Sequence, residues 1–203
     1  MLKVAVINCS PAVYNLAVKK IERYHLDKGD QVFMASAANP FALRSDQAFL
    51  SAIFTKDLPF LCQEANKLKA ASVEVEIGGP APTAMPGYVL KHTGIPPHPG
   101  LDDRFERVTG NFTWSFTSRG CPNKCRYCIV PKIEPQMVEY DDFSIPIGEK
   151  PMLADNNILA TSAKHQQIVV ERSKGLRNLD INSGFEAARF DEGSGAGLGW
   201  LAA

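Results

Sequence analysis

Apolar and polar positions alternate along the first eighty residues in a way that predicts strands and helices in turn. Lys3–Asn8 (KVAVIN) is a short, β-branched apolar run and reads as a buried strand. Pro11 suits a first helical turn, and Val13, Ala17, Ile21 and Tyr24 then recur at helical spacing until Gly29-Asp30 interrupts them. Gln31–Ala35 and Ala48–Phe54 read as the second and third strands. Leu58–Ala70 carries Pro59 near its start and repeats Leu61, Ala65 and Leu68, which predicts a helix. Val73–Ile77 is a fourth strand, closed by Gly78-Gly79-Pro80. Strands alternating with helices predict a doubly wound parallel sheet, and hence an α/β class.

Residues 80–100 are rich in proline and read as a connector with a short helix around Tyr88–His92. The expected organisation is therefore a first domain over 1–100, connector included, and a second over 101–203. The second begins with an aromatic, alternating strand, Asn111–Thr117, followed at once by three cysteines and then a polar stretch. Pro151–Ala154 predicts a strand ending at Asp155-Asn156-Asn157. Thr161 or Ser162 can cap a helix containing Ala163 and residues 168–170, with Gly175 closing it. Leu179–Asn182 is a further strand, turned by Ser183-Gly184 into Phe185–Phe190, and Asp191–Ala203 is Gly-rich without a predicted element.

The 203 residues are 45% hydrophobic, enough for a sizeable core. Lys plus Arg equals Asp plus Glu, 22 each, so a broad basic stripe for nucleic acid is not expected. No apolar run is long enough to span a bilayer, and no signal-peptide pattern is visible, so the expectation is a cytoplasmic protein without membrane partners. In that compartment five cysteines point to metal ligands or core residues rather than to disulfides.

Three of the five stand together. Cys121, Cys125 and Cys128 have the spacing CxxxCxxC, behind a strand and Gly120. Thiols this close can converge on a soft metal centre such as an iron–sulfur cluster. Arg119, Lys124 and Arg126 would offset its negative charge and favour the thiolates. Three ligands leave one metal position open, as catalytic zinc sites do. The alternative is a zinc knuckle, which needs a fourth ligand from His92, His98 or a distant cysteine. Cys62 lies on an apolar helix face and reads as core, and Cys9 as core or turn packing. Gly78-Gly79 either admits a ligand at a strand end or makes a tight turn.

CxxxCxxC after a strand, with an aromatic residue just before the last cysteine, resembles the radical S-adenosylmethionine superfamily. The resemblance implies a 4Fe-4S cluster held by Cys121, Cys125 and Cys128, with Tyr127 near the adenine of S-adenosyl-L-methionine. It implies reductive cleavage of that cofactor to a 5′-deoxyadenosyl radical acting on an unknown substrate. An electron donor such as flavodoxin or ferredoxin would be a partner. The first domain, with its VEVEIGGPAPT segment, resembles the cobalamin-binding-like domain that often precedes the radical domain. The Asp-x-His-x-x-Gly motif that ligates cobalt is missing, so cobalamin itself is not expected.

Leu153–Asn157 resembles the end of the second barrel strand, which implies that Asp155 and Asn157 bind the cofactor's amino group or ribose. An Asx turn is the other reading of the same residues. Residues 180–187 resemble a later strand and turn, which implies that Asn182 lines the pocket. Lys132, in a stretch that also recurs in these relatives, faces either site or solvent, and His165 reads as surface or packing. The resemblance runs to about Phe190 and covers three strands of a barrel that normally has six strand–helix units. The expectation is an N-terminal half-barrel: a shortened enzyme, one completed by a partner chain, or a non-catalytic iron–sulfur or zinc-binding module.

Overall fold

A computed structural model of the chain describes residues 1–182 and 185–189. The chain divides into two compact units, one of Met1–Val108 and one beginning at Thr109.

In the first unit, β1 (Lys3–Asn8), β2 (Gln31–Ala35), β3 (Gln47–Ser51) and β4 (Glu74–Gly78) form a parallel sheet of order β2-β1-β3-β4. Because side chains alternate across a strand, β1 feeds two cores. Val4 and Val6 pack with Phe49 against Val18 and Ile21 of α1 (Leu16–Asp27). Ala5 and Ile7 pack with Ala48 and Leu50 against Leu58, Leu61, Ala65 and Leu68 of α2 (Leu58–Ala70). Residues 4–7 are fully buried, which is why this strand reads as an unbroken apolar run. The class is α/β with a four-stranded parallel sheet covered on both faces.

Three short helices complete this unit: α3 (Pro80–Ala84), α4 (Pro86–Thr93) and α5 (Asp103–Glu106). Pro80 and Pro86 begin α3 and α4, where their missing N–H costs nothing, so a stretch read mainly as linker is largely helical up to Thr93. Gly94, with φ of 71°, ends α4 in the left-handed conformation. Phe105 of α5 joins the core under α1, and Lys20 Nζ donates to the Glu106 carbonyl at 2.5 Å, which ties α5 into the first unit.

Two boundaries differ from expectation for identifiable reasons. α1 starts at Leu16 rather than at Pro11, because Asn15 is the N-cap and its side chain accepts from Val18 N–H. Residues before it are spent crossing the strand ends, where the Ser10 hydroxyl donates to Asp57 and accepts from Ile53 N–H. β3 runs from Gln47 and stops at Ser51, the last residue paired with β4, and a single 3₁₀ turn at Thr55–Asp57 leads into α2.

The second unit has shorter strands. β5 (Trp114–Ser115), β8 (Met152–Leu153) and β9 (Asp180–Ile181) form a parallel sheet of order β5-β8-β9. β6 (Ser118–Arg119) leaves this sheet and pairs antiparallel with β7 (Val138–Glu139), which cuts the expected strand over 111–117 short. α6 (Val130–Ile133) follows the cysteines, and α7 (Ala163–Ser173) is capped by the Ser162 hydroxyl, which accepts from His165 N–H. Tyr140, Phe143, Leu153, Ile158, Leu159 and Val169 form the core of this unit. Ala187–Arg189 is one 3₁₀ turn. The expected Ser183-Gly184 turn, Phe190 and the Gly-rich Asp191–Ala203 stretch lie outside the described residues.

Candidate functional site

The cysteine loop opens where β6 ends. Gly120 has φ of +78°, and a Cβ there would lie 2.0 Å from the Gln136 carbonyl oxygen, so only glycine allows this crossing. The loop closes at Glu134, whose buried carboxylate accepts from Gly120 N–H at 2.7 Å, Arg119 Nη1 at 3.1 Å and Asn156 Nδ2 at 2.5 Å. Arg119 is itself buried and its guanidinium lies 3.4 Å from the centroid of the Phe116 ring. Its guanidinium is paired with Glu134. Lys124, Arg126 and Lys132 are exposed.

All three cysteines are free thiols, Cys125 exposed and Cys121 and Cys128 half-buried. Cys128 N–H donates to the Cys125 carbonyl at 3.0 Å, a turn that sets the last two thiols on one short bend. Among the described residues no three His, Cys, Asp or Glu side chains are gathered into a metal-ligand set. What the structure does show is three free cysteines, none of them fully buried, on one loop whose two ends are joined through Glu134; thiolates are the donors that iron–sulfur clusters take.

Asn157 is the predicted residue that the structure brings to a thiol. Its Nδ2 donates to Cys121 Sγ at 3.5 Å and to Glu186 Oε2 at 2.5 Å. Glu186 also accepts from Asn123 Nδ2, inside the cysteine loop, at 2.9 Å and from Arg189 Nε at 2.7 Å. The Asn157 and Asn123 hydrogen bonds hold the Glu186 carboxyl below its ordinary range. Asp155 is fully buried, and its Oδ1 accepts from the peptide N–H and hydroxyl of both Thr117 and Ser118. The carboxylate therefore anchors the strand that enters the cysteine loop. His165, also buried, joins this anchor through Nε2, 3.1 Å from Thr117 Oγ1. Tyr127 is 93% exposed, and Asn182, exposed at the end of β9, donates its backbone N–H to the Leu153 carbonyl. Both stand outside the Asn157–Cys121 network.

Glu134 and Glu186 were not singled out by sequence reasoning. One signal was available for Glu134: it is the first acidic residue after the cysteines, set between Ile133 and Pro135. Charges in such settings are buried only when paired.

In the first unit, the strand order reverses between β1 and β3, where open sheets bind ligands. Asn15 Nδ2 donates there to Asn8 Oδ1 at 3.2 Å and to Ser51 Oγ at 3.1 Å. A Cβ on Gly79, whose φ is +103°, would lie 2.7 Å from the Ala52 carbonyl oxygen, so this glycine serves the close packing of the turn itself. Gly78 has open space about it. Cys9 is buried, and burial together with Glu64 and Asp57 pushes its thiol up to about 12. Burial also raises the Cys62 thiol. Both behave as core residues. His92 stacks near Tyr88, with ring centroids 4.3 Å apart, and His98 Nε2 lies 3.8 Å from Asp102.

Compared with known proteins, the chain matches no family model, no curated protein and no solved structure. Among the described residues no helix is long and apolar enough to cross a membrane.

Proposed function

We propose that Cys121, Cys125 and Cys128 hold a 4Fe-4S cluster and that the chain is a radical S-adenosylmethionine-type protein, with β5, β8 and β9 as the first strands of its barrel. The observation that carries the reading is the contact of Asn157, at the end of β8, with Cys121, on a loop leaving β6. It joins the predicted cofactor-binding segment to the predicted cluster loop.

When bound, the cluster supplies the electron for reductive cleavage of S-adenosyl-L-methionine. The chain's own residues divide the rest. Asp155 fixes the strand before the loop, Glu134 closes the loop, and Asn157 is the side chain at the thiols that can take a cofactor's polar group. Tyr127, on the exposed tip, and Asn182 are assigned to the cofactor by resemblance alone. The first unit is read as a cobalamin-binding-like domain without cobalt ligation. A flavodoxin- or ferredoxin-type electron donor is the partner this reading requires.

Anaerobic reconstitution with iron and sulfide tests it. About four irons and four acid-labile sulfides per chain are expected. Dithionite should then release 5′-deoxyadenosine from S-adenosyl-L-methionine, and Cys125→Ala should abolish both signals. Zinc without acid-labile sulfide would overturn the cluster.

A further inference from the structure

One buried carboxylate meets three separate pieces of the second unit. Glu134 lies where the cysteine loop ends, just past α6. Its Oε2 accepts from the N–H of Gly120, the residue before Cys121, and from Nδ2 of Asn156, which lies between the buried Asp155 and the Cys121-contacting Asn157. Its Oε1 accepts from the Arg119 guanidinium. Loop entry, loop exit and the end of β8 are thereby fixed to one point, with side chains 8% and 10% exposed at the ion pair. A surface ion pair of this length contributes little, but here both charges are withdrawn from water and every bond is charge-assisted.

Resting on the cluster reading above, we propose that Glu134 is the positioning residue of the cysteine loop, setting Cys121 against Asn157 before any cluster binds. The alternative role is charge compensation alone: Glu134 would only neutralise buried Arg119. The two differ in what the length of the side chain does. Glu134→Asp keeps the charge beside Arg119 but shortens the reach by one methylene, so it cannot serve all three donors at once. Glu134→Gln keeps the reach and sets an amide N–H₂ against donors.

The experiment needs no cluster. Thiol alkylation of the full reduced chain with iodoacetamide is followed at each cysteine by mass spectrometry, with thermal melting measured in parallel. The expected result for Glu134→Asp is a chain that still folds, with a lowered melting temperature, alkylation of Cys121 accelerated about tenfold by local opening of the loop base, and Cys125 unchanged. Native Cys121 kinetics in a folded Glu134→Asp would overturn the proposal. Should Glu134→Asp fail to fold, Asn156→Ala decides, because it removes one donor and leaves the Arg119 pair intact. Faster Cys121 alkylation in it supports the proposal, and native kinetics overturn it. Reconstitution adds a second readout: a changed electron paramagnetic resonance signal of the reduced cluster in Glu134→Asp. If the native chain takes up no iron and sulfide, the cluster reading fails while the alkylation result still judges Glu134.

Discussion

Thr117 gives Asp155 two hydrogen bonds from one residue, its peptide N–H at 3.0 Å and its hydroxyl at 2.8 Å to the same Oδ1, with both residues wholly buried. The hydroxyl hydrogen is committed to Asp155, so Thr117 Oγ1 faces His165 Nε2 as an acceptor. His165 must therefore carry its proton on Nε2, which nitrogen-15 NMR of the imidazole should show. Thr117→Val removes the hydroxyl between Asp155 and His165, leaving the peptide N–H on Asp155, and should destabilise the second unit by about 2 kcal/mol. Asp155→Ala, which abandons several buried donors, should cost about 3 kcal/mol or more. Chemical denaturation measures both.

Gly120→Ala should be among the most damaging single changes in the second unit. The added carbon would fall 2.0 Å from the Gln136 carbonyl in a left-handed backbone, so the loop base must rebuild. A loss of about 3 kcal/mol or more is expected, together with faster alkylation of Cys121.

Asp30 should govern part of the acid sensitivity of the first unit. Its carboxyl is held below the usual range first by His25 and then by Leu2 N–H. A lowered folded value means that the stabilisation is complete above the ordinary aspartate value, near about 4, and disappears as pH falls through the lowered one. Asp30→Asn should flatten the pH dependence of unfolding below about pH 4. Circular dichroism melts across that range check this.

Alkylation of the native chain at pH 8 should rank its cysteines. Cys125 is exposed and should react first, whereas Cys9, 1% exposed with its thiol raised to about 12, should react only on unfolding. Early labelling of Cys9 would contradict the buried packing of the β1 end.

The elements that pack by periodicity were legible in the sequence. α2 spans Leu58–Ala70 as its Leu61, Ala65 and Leu68 spacing requires, and β1 spans its apolar run. The second unit was less legible because its strands are two residues long, too short for alternation to show, and are held by side chains instead. The cysteine spacing and the Asp155–Asn157 segment marked the candidate site, but not the division of labour within it. Two adjacent polar residues of one strand end, Asp155 and Asn156, serve different anchors, and sequence spacing does not reveal which donors a buried carboxylate will find. Glu134 and Glu186 act across 14 and 63 residues, on Gly120 and Asn123, and such separations leave no local pattern.

The locked base and open tip of the cysteine loop also set how the protein can diversify. Ser118, Arg119, Gly120 and Glu134 are committed to buried contacts, so exchange there is paid in stability. Lys124, Arg126 and Tyr127 are exposed. Substitutions at these three can change what the loop meets in solution while leaving its frame standing, so drift in recognition is cheap at the tip and closed at the base.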